Sequence, residues 1–320
     1  MVGKRFRLLT SRAWLLIKSF WSSDRFDVRV GRIFLMSVAG AAVFLLVMVM
    51  AFEDRFIYFP AKFPEGFWNA ASLPAREGEI VPRIEDSEFQ TSDGVKLHGW
   101  YCTPQKKTGG EMQIVEAPMV LLWFHGNAGN LSHRYDMIRM LMKVPVQVFI
   151  IDYRGYGKSE GWPSEEGLYK DGAAAWEYLT AGRGISPDRI IILGKSLGGA
   201  VAVELASKVN PAGLIVQSSF TSAPDMAARV LPFFPRSLIR TKFNSIDKIG
   251  LARCPKLFIH SRTDDVVPFE LGRRLFEAAP DPKEFYEVKG ALHNDTYIAG
   301  GPGYLEAIRR FVESCSPPSK

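Results

Sequence analysis

Short apolar runs bounded by turn residues recur along the chain, and they constrain its fold more than any other feature. Strands buried on both faces of a parallel sheet have this pattern, because helices cover both sides. The runs are Pro118–Phe124, Val146–Asp152, Arg189–Leu193, Gly213–Gln217 and Pro255–His260, with helical stretches at Ser164–Thr180, Leu197–Val209 and Phe269–Ala279. The alternation predicts an α/β fold with a mainly parallel sheet and helices on both faces, formed by residues 88–320 as one domain.

A second feature is a run of twenty residues without a charged side chain, IFLMSVAGAAVFLLVMVMAF, at positions 33–52. A helix of about this length crosses the hydrocarbon core of a bilayer. The run is longer than the apolar part of a signal peptide, and the residues after it, Glu53-Asp54-Arg55-Phe56, offer no small-residue cleavage site. We therefore expect one transmembrane helix over residues 33–52, in contact with membrane lipid.

Charge is concentrated before this run. Residues 1–32 hold eight basic and two acidic side chains, which account for the whole net charge of +6. The positive-inside rule predicts that this basic lead stays cytoplasmic and that the rest lies on the non-cytoplasmic side. Because residues 33–320 carry no net charge, nucleic-acid binding is not expected. Residues 53–87 contain four prolines and six aromatic residues and are predicted to be a tether.

The strand Arg189–Leu193 leads into the sequence GKSLG at 194–198 and then into a predicted helix. G-x-S-x-G at a sharp turn between a buried strand and a helix is typical of a nucleophile elbow. A phosphate-binding P-loop is excluded, because its first glycine would have to stand where Arg189 stands. Ser196 is therefore the candidate nucleophile.

A serine hydroxyl needs a histidine base that is itself held by an acid. On a sheet of this kind the nucleophile, acid and histidine follow in chain order, and of the five histidines only His293 follows Ser196 and the candidate acids. Those acids are the neighbours Asp264 and Asp265. One would orient the imidazole, while the other would cap the next helix or face solvent. His260 is interpreted as a packing residue at a strand end.

The negative oxygen that forms during acyl transfer needs backbone N–H donors placed in advance. The N–H of Leu197, just after the candidate nucleophile, is one candidate. The other is the N–H of Asn127, in the sequence HGNAGN that follows an earlier buried strand. Gly126 has no side chain and allows the chain to approach closely. Leu197 and Asn127 are therefore the predicted oxyanion hole.

Five motifs in this order resemble the α/β-hydrolase superfamily, namely HGNAGN at 125–130, DYRGYGKSEG at 152–161, GKSLGGAVA at 194–202, TDDVVPF at 263–269 and HNDTY at 293–297. More narrowly, they resemble the membrane-anchored serine hydrolases called alpha/beta hydrolase domain-containing protein thirteen and their microbial relatives. In that family the aspartate four residues before the proline of D-x-V-[VI]-P is the triad acid, which implies Asp264. Relatives with palmitoylated N-terminal cysteines form another branch, since the first cysteine here is Cys102.

The resemblance also implies a small cap between the sixth and seventh strands, here residues 219–250. Its apolar residues, which include Phe233 and Phe234, are sufficient to roof a pocket. The expected function is a membrane-anchored serine hydrolase that cleaves carboxylic esters, lipid-like acyl esters among them, without a metal or organic cofactor. Two alternatives stay open: an amidase or peptidase with the same triad, and a hydrolase-fold scaffold without activity.

Overall fold

The computed structural model describes residues 24–230 and 235–317 of the chain. It contains two compact units, Met1–Phe52 and Glu53–Lys320. In the first unit, helix α1 (Asp24–Ala51) contains residues 33–51 of the predicted span. Within the described ranges, no helix combines the length and the hydropathy needed to cross a membrane. Residues 1–23 of the predicted lead lie outside the described residues.

The second unit is an α/β domain with one large sheet, as the alternating pattern predicts. Its strands are β1 (Phe59–Pro60), β2 (Ile80–Gln90), β3 (Lys96–Thr108), β4 (Glu111–Ile114), β5 (Met119–Phe124), β6 (Ala128–Gly129), β7 (Val146–Ile151), β8 (Ile190–Lys195), β9 (Gly213–Gln217), β10 (Lys256–His260) and β11 (Lys283–Glu287). Its α-helices are α2 (Glu53–Ile57), α3 (Tyr135–Leu141), α4 (Glu165–Glu177), α5 (Leu197–Ala206), α6 (Ala223–Val230), α7 (Ser245–Lys248), α8 (Phe269–Ala278), α9 (Thr296–Ala299) and α10 (Gly301–Cys315).

The large sheet has the strand order β11-β10-β9-β8-β5-β7-β3-β2, with β4 paired to β3. Six neighbouring strands pair in parallel, namely β11, β10, β9, β8, β5 and β7. Strand β3 pairs antiparallel with β2, β4 and β7. The carboxyl ends of β5, β8, β10 and β11 therefore meet at one edge of the sheet. Ligands of open α/β sheets bind at this edge.

Two apolar cores, one on each face of the sheet, explain why the central strands are mostly apolar. Ile190 and Ile192 of β8 pack into the core that includes residues of α4 and α5. Ile191 and Leu193, which point the opposite way, pack into the core that includes residues of α3 and α10. Successive side chains on a strand alternate between faces, so a strand covered on both sides is apolar at most positions and not only at every second one.

The segment 53–87 differs from the predicted tether, because it is folded onto the domain. Strand β1 pairs in parallel with β6, and Ala61 and Phe63 extend this contact by donating their N–H groups to the carbonyls of Gly129 and Gly157. Glu53 is buried, and its carboxylate accepts the backbone N–H groups of residues 240 and 241. Backbone hydrogen bonds of this kind leave no mark in the side-chain pattern, and the prolines of the segment suggested a linker instead.

The predicted cap, residues 219–250, contains α6, a short 3₁₀ turn at Arg236–Leu238 and α7. Met226 and Ile246 of this region pack against the apolar core of the domain. Phe233 and Phe234, which were expected to roof a pocket, lie outside the described residues.

Candidate active site

Ser196 occupies the sharp turn between β8 and α5. Its backbone has φ 53° and ψ −118°, a strained conformation that non-glycine residues rarely adopt. The turn is fixed by three hydrogen bonds: the Ser196 N–H donates to Gln217, and its carbonyl accepts from the Gly199 N–H and the Ser219 hydroxyl, each at 2.9 Å. Strain held in place by the surrounding structure is typical of functional sites. The strand, turn and helix predicted for G-x-S-x-G are all present.

The glycines around Ser196 are required by close packing. A Cβ at Gly198 would collide with the carbonyl oxygen of Phe124 at the end of β5. A Cβ at Gly194 would collide with the carbonyl oxygen of Gly198 across the turn. The elbow is therefore pressed against the loop that follows β5, where the oxyanion donors are expected.

Asp264 and His293 form the hydrogen-bonded pair that the acid and base of a triad require. The Nδ1 atom of His293 lies 3.0 Å from Oδ1 and 2.9 Å from Oδ2 of Asp264. The Asp264 side chain is fully buried and His293 is 6 % exposed. With Nδ1 held by the carboxylate, Nε2 is the ring atom left to accept a proton from a nucleophile.

The Asp264 carboxylate stays ionised in spite of its burial. Burial alone would raise its pKa, but hydrogen bonds with His260 and His293 outweigh this and hold the pKa well below its usual range. The backbone N–H groups of Val266 and Val267 also donate to Oδ1, at 3.0 and 2.8 Å. A carboxylate held by several donors can orient an imidazole without taking its proton.

His260 has a closer link to this site than the sequence indicated. It is buried at the end of β10 and packs edge-on against Phe269, as expected of a packing residue. Its Nε2 atom also lies 3.3 Å from Oδ2 of Asp264 and 3.1 Å from the carbonyl of Val267. The spacing of four residues between His260 and Asp264 is the only trace of this contact in the sequence.

Asp265 is exposed, as one of the two alternatives from the sequence has it, and it also binds the backbone of the same histidine. Its Oδ1 accepts the N–H of His293 at 2.9 Å. Thr263 donates to the carbonyl of Ala291 at 2.8 Å, and Asp295 accepts the N–H of Leu292. Three side chains thus fix the backbone of residues 291–293, which is the loop that carries His293.

The predicted oxyanion loop lies directly beside Ser196. A Cβ at Gly126 would be 3.6 Å from the Cβ of Ser196. In the described part of the chain, no acceptor is bonded to the backbone N–H of Leu197 or of Asn127. Both groups are therefore available to a ligand, and Leu197 begins α5, where the helix dipole favours negative charge.

The segment that was predicted to be a tether holds this loop in position. The side chain of Asn127 donates to the carbonyl of Ile57 and accepts from the Phe59 N–H, at 3.3 Å, and from the Tyr156 hydroxyl, at 2.9 Å. The side chain of Asn130 donates to the carbonyl of Ala61 at 3.2 Å. Both ends of the loop are thus bound to residues 57–61.

All the predicted site residues lie at one edge of the sheet, in the segments that follow β5, β8, β10 and β11. These residues are Asn127, Ser196, Leu197, Asp264 and His293. The structure brings Asp264 and His293 into direct contact and places the Asn127 loop against Ser196. Among the described residues, no cluster of histidine, cysteine, aspartate or glutamate side chains could hold a metal ion.

Comparisons with known proteins identify the family and the fold. Residues 116–248 match the family described as serine aminopeptidase, S33. A protein of Pyrococcus furiosus described as an esterase has a similar structure, with a TM-score of 0.62 and 20% identity, over 80% of this chain and 98% of that one. At this identity the likeness shows a shared fold.

Curated relatives match over most of their length. The alpha/beta hydrolase domain-containing protein WAV2 of Arabidopsis thaliana is 34% identical over 302 residues, which cover 88% of this chain and 94% of WAV2. Protein bem46 of Schizosaccharomyces pombe is 33% identical over 284 residues, which cover 86% of this chain and 91% of bem46. With the strand order, the elbow and the Asp264–His293 pair, these matches show that the chain belongs to the α/β-hydrolase superfamily.

Proposed function

We propose that the protein is a serine hydrolase of carboxylic esters with Ser196, Asp264 and His293 as its triad. The observation that carries this proposal is the buried Asp264–His293 pair, which shares one sheet edge with a serine on a strained elbow. Retention of all three side chains argues against the alternative of a scaffold without activity.

In the proposed reaction, Ser196 Oγ attacks the acyl carbonyl carbon while His293 Nε2 takes the hydroxyl proton. The N–H groups of Leu197 and Asn127 hold the negative oxygen of the tetrahedral intermediate. When the intermediate collapses, His293 returns the proton to the departing alcohol and the acyl group stays on Ser196. Water then attacks the acyl-enzyme with His293 again as base, which releases the acid and restores the serine.

Cleavage of amide bonds is a second candidate, because the same triad supports it. The match of residues 116–248 to a family described as a serine aminopeptidase favours it specifically. Ester, thioester and amide substrates with one common acyl group, assayed on the purified protein, distinguish the two. Ester hydrolysis well above amide hydrolysis supports the esterase, and the reverse order supports the amidase.

Exposed apolar side chains next to the catalytic residues support acyl substrates with an apolar chain. Val266, two residues after Asp264, is 47% exposed, and Leu292, just before His293, is 49% exposed. Single exposed apolar residues are ordinary on a protein surface, but these two border the site on different loops. They offer an alkyl chain a surface beside the scissile bond.

Membrane anchoring through residues 33–52 is also part of the proposal. The uncharged run and the eight basic residues ahead of it support a single-pass anchor with a cytoplasmic N-terminus and a non-cytoplasmic catalytic domain. Glu53 is already bound into the domain, so such an anchor would end where the domain begins.

A further inference from the structure

Lys195, the residue before the candidate nucleophile, is a buried cation. It is the last residue of β8 and only 8% exposed. Within residues 24–230 and 235–317, no acceptor forms a hydrogen bond with its ammonium group and no carboxylate lies within ion-pair distance. Buried ammonium groups are normally paired, because removing the charge from water is costly. The ammonium nitrogen itself keeps contact with solvent, so a negative group from outside the chain can reach it and supply the partner that the chain does not.

The register of the sheet shows which face Lys195 occupies. Lys195 pairs with Gln217 of β9, and paired residues on neighbouring strands lie on the same face. The side chain of Gln217 donates to the hydroxyl of Thr296 and accepts from the hydroxyl of Tyr304 at 2.7 Å. Lys195 therefore lies on the face covered by α9 and α10, and α9 begins three residues after His293.

A second cation, Arg134, lies on this face and at the same edge. It directly precedes α3, which packs into the same apolar core as Tyr304. Its Nη2 donates to the carbonyl of Ala128 in the oxyanion loop, whereas its Nε is buried and has no hydrogen-bond partner among the described residues. The Nε–H of this guanidinium is therefore a donor without a partner in the described part of the chain.

The acids that act on Lys195 do not pair with its ammonium group. Burial first and the positive charge of Arg134 second lower the pKa of Lys195 to about 8, while Asp264 and Asp295 act in the opposite direction. Asp264 is bound by His293, and Asp295 accepts the N–H of Leu292. Both carboxylates thus already bind the loop that carries His293, one through the ring of His293 and the other through the backbone.

We propose that Lys195 and Arg134 form an anion subsite beside Ser196, which binds a carboxylate or phosphate group carried by the substrate. The subsite rests on the serine hydrolase activity proposed above and specifies its substrates as esters with an anionic group near the scissile bond. Carboxylate and phosphate oxygens both accept charge-assisted hydrogen bonds from ammonium and guanidinium donors. A neutral ester would offer neither cation a charged partner.

Two esters of equal acyl length test the subsite: 4-nitrophenyl hydrogen glutarate, with a terminal carboxylate, and 4-nitrophenyl pentanoate, with a methyl group in its place. The measured quantity is the ratio of their kcat/KM values on one variant, which cancels a general loss of activity. We expect Lys195→Met and Arg134→Met each to lower the glutarate-to-pentanoate ratio by about tenfold or more, as loss of a charge-assisted hydrogen bond predicts. The control is Lys106→Met, an exposed lysine on β3, which should leave the ratio unchanged.

An unchanged ratio in Lys195→Met, with both esters hydrolysed, would overturn the subsite and leave the hydrolase intact. If neither ester is hydrolysed, the proposed activity fails, and the subsite is then tested by anion binding alone. Titration calorimetry with glutarate and with inorganic phosphate then compares the wild type with Lys195→Met. Binding that is lost in the variant supports the subsite, and the anion that binds more tightly identifies its chemistry. Absence of binding to the wild type at millimolar ligand overturns it.

Discussion

The carboxylate of Asp265 accepts the backbone N–H of His293 at 2.9 Å, while the ring of His293 is held by Asp264. Two consecutive aspartates on one loop therefore fix the same histidine by its backbone and by its side chain. The backbone bond sets where the ring stands, and the ring bond sets its tautomer. This division of roles leads to different expectations for the two residues.

Asp264→Asn should lower kcat by at least about a hundredfold, because the amide cannot hold the His293 N–H as a carboxylate does. Asp265→Asn keeps an Oδ1 acceptor for the backbone N–H and should stay within a few-fold of the wild type. Asp265→Ala loses the acceptor and should lower kcat by roughly tenfold with KM little changed. Steady-state kinetics of the three folded variants measure this. Equal losses in Asp264→Asn and Asp265→Asn would contradict the assignment of the acid.

The buried Lys195 predicts a specific dependence of stability on pH. Its pKa is lowered to about 8 from 10.5, so between these values the unfolded protein binds more protons than the folded protein. The free energy of unfolding of the wild type should therefore rise with pH across this window, relative to Lys195→Met. Between pH 7 and pH 10, the difference in free energy of unfolding between the wild type and Lys195→Met should change by roughly 2 kcal/mol.

Urea unfolding of the purified protein at both pH values measures this difference, and Lys106→Met serves as the exposed control. A wild-type and Lys195→Met difference that does not vary with pH would show that Lys195 is not desolvated.

The proposed topology predicts the location of the C-terminus. A reporter fused after Lys320 should be active only on the non-cytoplasmic side, because the net charge of +6 precedes residue 33. A matched fusion before Met1 should report from the cytoplasm. Protease accessibility of each fusion in intact cells is an independent measure of its location. A C-terminal reporter that is active in the cytoplasm would contradict the topology.

Acyl length should affect hydrolysis through the apolar residues beside the site. On uncharged 4-nitrophenyl esters, kcat/KM should rise from two to about eight carbons, by at most ~0.8 kcal/mol per buried methylene. Leu292→Ser should weaken this dependence without removing activity on the shortest ester. Assays must stay below the micelle concentration of each substrate. A steady fall beyond two carbons would identify a short-chain esterase instead.

The sequence predicts the buried central strands well, because their residues are apolar for a single physical reason, which is that helices cover both faces of the sheet. Strands such as β8 are covered on both faces, so residues 190–193 are all apolar and the run is visible in the sequence. Strand β2 was not predicted, because it lies at the sheet edge, contains Pro82 and leaves several charged residues exposed. Edge strands tolerate both features.

In the candidate site, too, only the features that follow from local sequence were predictable. The strained turn at Ser196 follows from local spacing, and the structure contains it. The bond between Asp265 and the backbone of His293 joins residues 28 positions apart and depends on how two loops fold. The contact of Asn127 with residues 57–59 spans a still longer separation and uses backbone atoms. Residue types do not encode contacts to backbone atoms, so these contacts appear only in the folded structure.

The most direct test of the proposed function is fluorophosphonate labelling of the purified protein together with ester hydrolysis, for the wild type and Ser196→Ala. Ser186→Ala, a change at an exposed serine of the same domain, is the matched control. We expect the wild type and Ser186→Ala to be labelled and active. In Ser196→Ala, labelling should be absent and kcat should fall by about a thousandfold or more. Labelling that persists in Ser196→Ala, or a wild type that is neither labelled nor active, would contradict Ser196 as the nucleophile.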